Sequence, residues 1–249
     1  MINNRLRFFL NRVINVLRPA PRYLPLTVNQ VLANQDGLDL VQRFNDLYYT
    51  SGISRNLNWR GMEMIKNPCD LWIMVELIQQ LRPAIILETG THYGASATFY
   101  ADIAKICDIP CTVITIDINP KWDFDPETKN IISLVGYSVD PAIVQKAELI
   151  IKEKTSKNQG HVMVMLDADH SEAHVTEELE LFHPLVTCDS YLIVEDTNVN
   201  GHPVAPTHGP GPWEAVDKFL AGHANFVPDR SCERFLLTFN PRGWLKRVS

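Results

Sequence analysis

His161-Val-Met-Val-Met-Leu-Asp167-Ala-Asp169-His170-Ser171 is an apolar run that stops at acids, and Tyr191-Leu-Ile-Val-Glu195-Asp196 repeats the pattern. Short apolar runs bounded by polar residues read as strands buried on both faces. In an open parallel sheet flanked by helices, ligands sit just beyond the carboxyl ends of the strands. Asp167, Glu195 and Asp196 then share one rim. Carboxylates gathered in this way repel one another unless a cation joins them, so the pattern predicts a hard divalent metal held by these three side chains. All three are oxygen donors and no thiolates stand beside them, which favours Mg²⁺ over zinc.

The flanking sequence continues the alternation. Ala84-Ile-Ile-Leu-Glu-Thr-Gly90, Thr112-Val-Ile-Thr-Ile-Asp117 and Ile131-Ile-Ser-Leu-Val-Gly136 read as further strands. Helical spacing marks 95–106, 141–154, 171–182 and 212–220, with Asp140 placed to cap the second of these. Strands alternating with helices predict an α/β fold with a doubly wound, mostly parallel sheet. Phe226-Val and Phe235-Leu-Leu-Thr-Phe239 are expected to pair antiparallel at its C-terminal edge, giving seven strands in all. Residues 83–249 form this core. Residues 36–82 form a helical lead-in, with a loop at Ser51-Gly-Ile-Ser-Arg-Asn and a helix over 70–81 that Pro68 announces.

Composition sets limits. The chain has 249 residues, 45% of them hydrophobic, enough for one sizeable domain. A net charge of −6 argues against nucleic acid as a partner. Five cysteines without a C-x-x-C pair fit reduced thiols in the cytoplasm, and no apolar run approaches the roughly 20 residues of a membrane span. Residues 1–35 differ from the rest. Arg5, Arg7, Arg12, Arg18 and Arg22 interleave with Phe8, Phe9, Leu10, Val13, Ile14 and Leu17, forming a basic amphipathic arm. It is expected to pack on its own domain or on a second copy in a homo-oligomer, in preference to lying on a membrane surface.

The first core strand runs into Glu88-Thr-Gly90-Thr-His-Tyr-Gly94-Ala-Ser96. The two glycines permit a sharp turn and close approach of a ligand, and the next helix offers free N–H groups. The run is neither G-x-G-x-x-G nor a P-loop. Asp117, ending the next strand, is placed to accept from a ribose diol. Together they fit an adenosine-bearing cofactor; the alternative is a tight turn with Asp117 capping a loop.

These residues carry a resemblance. Glu88 to Ser96 resembles the first motif of class I S-adenosylmethionine-dependent methyltransferases. Leu166–Ser171, His174-Val, Glu178-Leu, Tyr191–Val204 and Gly209–Val216 resemble the cephalosporin hydroxylase/rhamnosyl O-methyltransferase family, as do Trp59-Arg-Gly, Lys66, Pro68 and Asp70-Leu-Trp72. The likeness runs from about Trp59 to the C-terminus and leaves out the arm. It implies a Mg²⁺- and S-adenosylmethionine-dependent O-methyltransferase acting on a hydroxyl of a sugar or glycosylated small molecule. It places the metal on Asp167, Glu195 and Asp196. The implied cofactor site is Glu88, Gly90, Thr91, Tyr93, Gly94, Ser96, Asp117, Ser138 and Asp167. The chain also resembles macrolide-sugar O-methyltransferases with a histidine three residues after the first ligand, which makes His170 the base.

Other residues stay open at this level. Asp169 is either a fourth acid at the rim or the cap of the helix starting near Ser171. Asn198 to Pro212, rich in Gly, Pro and His, reads as a loop over the substrate or as a stiff connector, with His202 and His208 as sugar contacts. Trp213, Trp59 and Tyr93 are either apolar walls for a sugar face or core. Two competing functions remain. One is a non-haem iron hydroxylase built on Asp167 and His170 with His174 or His202 as second histidine; the other is a non-catalytic cofactor-binding module that assembles through its arm.

Overall fold

A computed structural model describes residues 30–249 apart from 32, 122–129 and 157–159. The expectations for the basic arm fall on residues outside this set, except for its last few positions.

The lead-in opens with α1 (Gln35–Thr50), capped by the Asn34 side chain, and a 3₁₀ turn at Ile53–Asn56 replaces the expected loop. A two-stranded hairpin follows, β1 (Asn58–Trp59) and β2 (Met62–Glu63), turned by Arg60 and Gly61 with φ of 52° and 83°. Helix α2 (Pro68–Leu81) starts on Pro68 itself, because Asn67 caps it and proline loses nothing at the first helical position.

The core then alternates: β3 (Ile85–Thr89), α3 (Ala95–Ile106), β4 (Thr112–Asp117), β5 (Ile131–Val135), α4 (Pro141–Thr155), β6 (Val162–Leu166), α5 (Glu172–Phe182), β7 (Tyr191–Val194), α6 (Pro212–Gly222), β8 (Phe226–Pro228) and β9 (Trp244–Arg247). The seven strands lie in the order β5-β4-β3-β6-β7-β9-β8. β3 to β7 are parallel, and β9 is antiparallel to both its neighbours. The sheet is therefore the doubly wound, mostly parallel one expected. Its C-terminal edge needs correction: Phe226-Val pairs with Trp244–Arg247, and Phe235–Phe239 is not a strand. Leu236 is left-handed at φ 66°. The Phe239 N–H donates to the buried Asp70 carboxylate at 2.8 Å, and its ring packs on Tyr48 and Tyr49 of α1. The Phe239 carbonyl accepts from the Asn198 N–H at 3.1 Å, so the segment fastens the lead-in to the core instead of joining the sheet.

Side-chain alternation divides the core into two layers. On β6, Met163 and Met165 face α2 and α3, where Ile73, Ile78 and Tyr100 wait. Val162, Val164 and Leu166 face α4, α5 and α6, against Ala147, Phe182 and Phe219. Thr89 pairs with Ile116 and Leu166, and Leu166 with Val194. This register lines up the next residues, Gly90, Asp117, Asp167 and Glu195, along one rim.

Candidate active site

Gly90 is the tightest point of the rim. Its φ is +83°, and a Cβ there would lie 2.7 Å from the Asp167 carbonyl carbon. Only glycine lets β3 and β6 stay paired while the loop leaves the sheet. Gly94, at φ 77°, turns the chain into α3 without a side-chain cap, so the first N–H groups of α3 lack one. A cavity of ≈ 270 Å³ opens in front of this turn, lined by Lys66, Gly90, Thr91, Tyr93, Ser96, Asp117, Asp167, His170 and Asp196 among others. A second, of ≈ 240 Å³, adjoins it past Gly90 and Asp117 and reaches Ser138, Asp169 and His174.

Asp117 holds the loops on both sides of itself. One carboxylate oxygen accepts from the His92 N–H at 2.9 Å and the other from Asn119 at 2.7 Å. Each oxygen keeps a further lone pair for a ligand in the cavity. Thr91 turns its hydroxyl to Thr115, 2.5 Å away, and Thr115 donates to Glu88 at 2.8 Å. Glu88 lies under the loop, 1% exposed, and lines neither cavity. Its carboxylate accepts from Thr115 and Ser96, and of these Ser96 lines the first cavity. Burial pushes its carboxyl up to about 7 against the pull of Lys66 and those two hydroxyls.

That shift predicts a pH effect. The folded-state pKa exceeds the unfolded one, so Glu88 costs nothing while protonated, and stability falls as pH rises from the unfolded value through about 7. Glu88→Gln stays neutral. It should match the parent near pH 5 and exceed it by about 2–3 kcal/mol near pH 8 in denaturant unfolding. Asp70, also raised to about 7 by burial, slopes the same way in both proteins, so the difference isolates Glu88. Equal pH slopes would show that Glu88 ionises freely in the fold.

At the acidic end the structure gathers Asp167, His170 and Asp196, with one ligand atom from each lying within 4.8 Å of the others. His170 Nε2 is 3.2 Å from Asp196 Oδ2. Asp196 sits at φ 54°, a left-handed turn stabilised by its N–H donating to Asn240 at 3.1 Å, so its side chain returns towards β6 while Glu195 points inward. Glu195 is not part of the three-residue cluster. Its carboxylate meets Lys66 Nζ at 2.6 Å, and the same ammonium meets Asp167 at 2.6 Å. Lys66 is 5% exposed. Burial draws its pKa down, but the two carboxylates more than offset this and hold it well above its ordinary value. In the sequence Lys66 belongs to the lead-in likeness and has no evident role; a lone lysine ahead of a helix cap carries no sign that it reaches across to β6 and β7.

Three carboxylates with one fixed ammonium leave the rim short of positive charge. Burial and the neighbouring Asp167 push Glu195 well above its ordinary range. Asp196 is also raised, by burial first and by Asp167, with His170 opposing. Two acids raised chiefly by burial, set beside a third carboxylate, fit a bound cation, and the mainly oxygen donors fit a hard one.

The remaining residues divide. Asp169 accepts from the Ser171 N–H at 2.7 Å, and its hydrogen bonds to Ser171 lower its pKa. Ser171, not Asp169, caps α5, so the expected cap moves by two residues. Ser138 lies 3.1 Å from His174 Nε2, which also meets the buried Glu178 at 3.4 Å. His208 adjoins Gly211, which packs against the His170 carbonyl. His202 and Trp213 do not reach the acidic rim. They stack at 4.2 Å and 6°, His202 bonds Glu214 at 3.0 Å, and both line a separate cavity of ≈ 330 Å³ beneath α1. Trp59 is likewise held away, with its indole N–H on Asp102 at 2.8 Å. With His174 and His202 both engaged elsewhere, a two-histidine iron site on Asp167 does not form among the described residues.

The chain is similar to known proteins in sequence and in fold. The family model described as Rhamnosyl O-methyltransferase/CmcI matches residues 51–248. Rhamnosyl O-methyltransferases of Mycobacterium tuberculosis and Mycobacterium bovis are 33% identical over 213 residues, covering 84% of this chain and 85% of theirs. The Mycobacterium leprae protein of the same name is 33% identical over 212 residues, covering 84% and 90%. Among solved structures, CmcI in a Mg-SAM form superposes with a TM-score of 0.59 at 21% identity, covering 78% of each chain, which bears on the fold alone. Sequence and architecture agree, and the chain belongs to the rhamnosyl O-methyltransferase/CmcI family.

Proposed function

We propose that the protein is an S-adenosylmethionine-dependent O-methyltransferase that acts on a hydroxyl of a sugar or glycosylated small molecule with help from a hard divalent cation. The convergence of Asp167, His170 and Asp196 beside the Gly90 cavity is the observation that carries this reading. S-adenosylmethionine supplies an electrophilic methyl group, and a cation at the carboxylates supplies Lewis acidity towards an acceptor hydroxyl.

The chain's own residues do the rest. Gly90 and the N-terminus of α3 give the cofactor a close-fitting wall, and Asp117 offers free lone pairs to a diol. Lys66 fixes Asp167 and Glu195 in place. His170 receives the hydroxyl proton, and Asp196, 3.2 Å from Nε2, stabilises the imidazolium that results. Holding methyl donor and oxygen side by side removes much of the entropic barrier.

The relatives named rhamnosyl O-methyltransferase make a rhamnosyl glycoside the first acceptor to try. Incubation with methyl-labelled S-adenosylmethionine, Mg²⁺ and a panel of such glycosides should place label on one sugar oxygen and release S-adenosylhomocysteine. Tight cofactor binding without transfer to any hydroxyl in a wider glycoside panel would favour the non-catalytic module. Absence of both binding and transfer would refute the assignment of the cavity.

A further inference from the structure

At the opposite end of α5 and α6 from the rim, Glu180, His183 and His223 each place a ligand atom within 4.8 Å of the other two. We propose that these three residues form a second metal site, for a borderline transition-metal ion such as Zn²⁺, distinct from the carboxylate rim.

The imidazoles are set up for this. His183 Nδ1 lies 3.0 Å from the Leu179 carbonyl and His223 Nδ1 lies 2.9 Å from the Phe219 carbonyl, each one helical turn back. A carbonyl oxygen only accepts, so the proton stays on Nδ1 and the lone pair on Nε2. A backbone carbonyl on one ring nitrogen, orienting the other for a metal, is the common outer arrangement of histidine ligands.

The rings are also fixed by packing. His223 stacks on Phe219 at 4.1 Å and 14°, and His183 stands edge-on to Phe219 and Phe226. The two imidazoles are 4.5 Å apart, and Glu180 Oε2 is 3.7 Å from His223 Nε2. One shared cation at this spacing satisfies both Nε2 lone pairs and the carboxylate.

Both histidines stand at the carboxyl ends of their helices, where unpaired carbonyls carry partial negative charge and favour a cation. Glu180 is exposed and the histidines are half-buried, so an ion can enter and solvent can complete the coordination. Two nitrogens and one oxygen suit Zn²⁺, while the oxygen-rich rim suits Mg²⁺. The ion would tie α5 to α6 about 18 Å from the ends that carry Ser171 and Gly211 beside His170.

The test is calorimetric titration of the metal-stripped full-length protein with Zn²⁺, repeated with Co²⁺ to follow its visible absorption. The parent is compared with Glu180→Gln, His223→Gln and Asp196→Asn, the last disabling the rim. In the Asp196→Asn background one equivalent should still bind with a nitrogen-ligated Co²⁺ spectrum. Adding Glu180→Gln should weaken it by more than about tenfold, the loss that even an outer-shell partner can cause. Adding His223→Gln should abolish it. Zn²⁺ at about 100-fold over Kd should raise the Tm of Asp196→Asn by about 5–10 °C and leave Asp196→Asn/His223→Gln unmoved. Glu180 is exposed, so its variant guards against loss of folding. The proposal is overturned if Asp196→Asn binds no Zn²⁺, or if neither added substitution changes the titration.

Discussion

Asp196→Asn should reduce methyl transfer by about 10²–10⁴-fold while leaving the protein folded and able to bind S-adenosylmethionine. The substitution is nearly isosteric. Asparagine tolerates the left-handed backbone at φ 54°, and the N–H bond to Asn240 does not involve the side chain. What disappears is one negative charge, and with it two functions. The rim loses an anionic donor for a cation, and His170 loses the carboxylate that stands 3.2 Å from its Nε2. General-base assistance alone is worth about 10²–10⁴-fold, and electrostatic stabilisation of developing charge acts in addition. Chelation with EDTA should mimic the variant in the parent protein, with Mg²⁺ restoring turnover. The readout is initial rate with labelled cofactor, beside cofactor binding by calorimetry. Full activity in EDTA together with an active Asp196→Asn would remove the cation from the reaction and leave His170 to be judged alone.

How far the sequence discloses this site depends on what each residue answers to. β6 and β7 are legible because a strand covered on both sides is apolar throughout, and Asp167 and Glu195 mark where cover ends. Asp196 follows from them, but its turned-back backbone does not. β9 is hidden: Trp244-Leu-Lys-Arg is four residues long, half of them charged, and only the sheet order shows that it lies between β7 and β8. Phe235–Phe239 deceives for the opposite reason. Its composition suits a strand, yet Asp70 and two tyrosines of α1, far away in sequence, claim it. Glu88 carries the motif but turns into the layer beneath the loop, a consequence of strand alternation. His202 and Trp213 are chemically suited to a sugar and are found with Glu214 and α1 instead, because a long connection folds by contacts that no local pattern encodes. Lys66 is the largest omission. Its partners lie 101 residues downstream and beyond, and only the folded sheet brings them to it.

Gly90→Ala should cost about 3–5 kcal/mol of stability and abolish cofactor binding, whereas Gly61→Ala should cost only about 1 kcal/mol and leave binding intact. The comparison separates two effects usually mixed in glycine variants. Both residues have φ of +83°, so both alanines meet the same backbone penalty, about 1–2 kcal/mol at most. At Gly61, in the β1–β2 turn, the added methyl enters open space. At Gly90 it overlaps the Asp167 carbonyl group, with the carbon 2.7 Å away. Neither side can retreat cheaply. The Gly90 N–H donates to Ile116 at 2.8 Å, and the Asp167 N–H donates to the Thr89 hydroxyl at 3.1 Å, so relief requires parting β3 from β6 at the rim. Such a shift moves Asp167 from Lys66 and His170 and deforms the wall shared by the two cavities, which is why binding falls with stability. Denaturant unfolding of the two variants, with calorimetric titration of S-adenosylhomocysteine, checks both parts. Equal losses at the two positions would mean that the strands yield easily and that Gly90 serves its turn alone. A stable Gly90→Ala that still binds the cofactor would remove the glycine loop from the site and require the adenosine-bearing ligand to lie elsewhere on the rim.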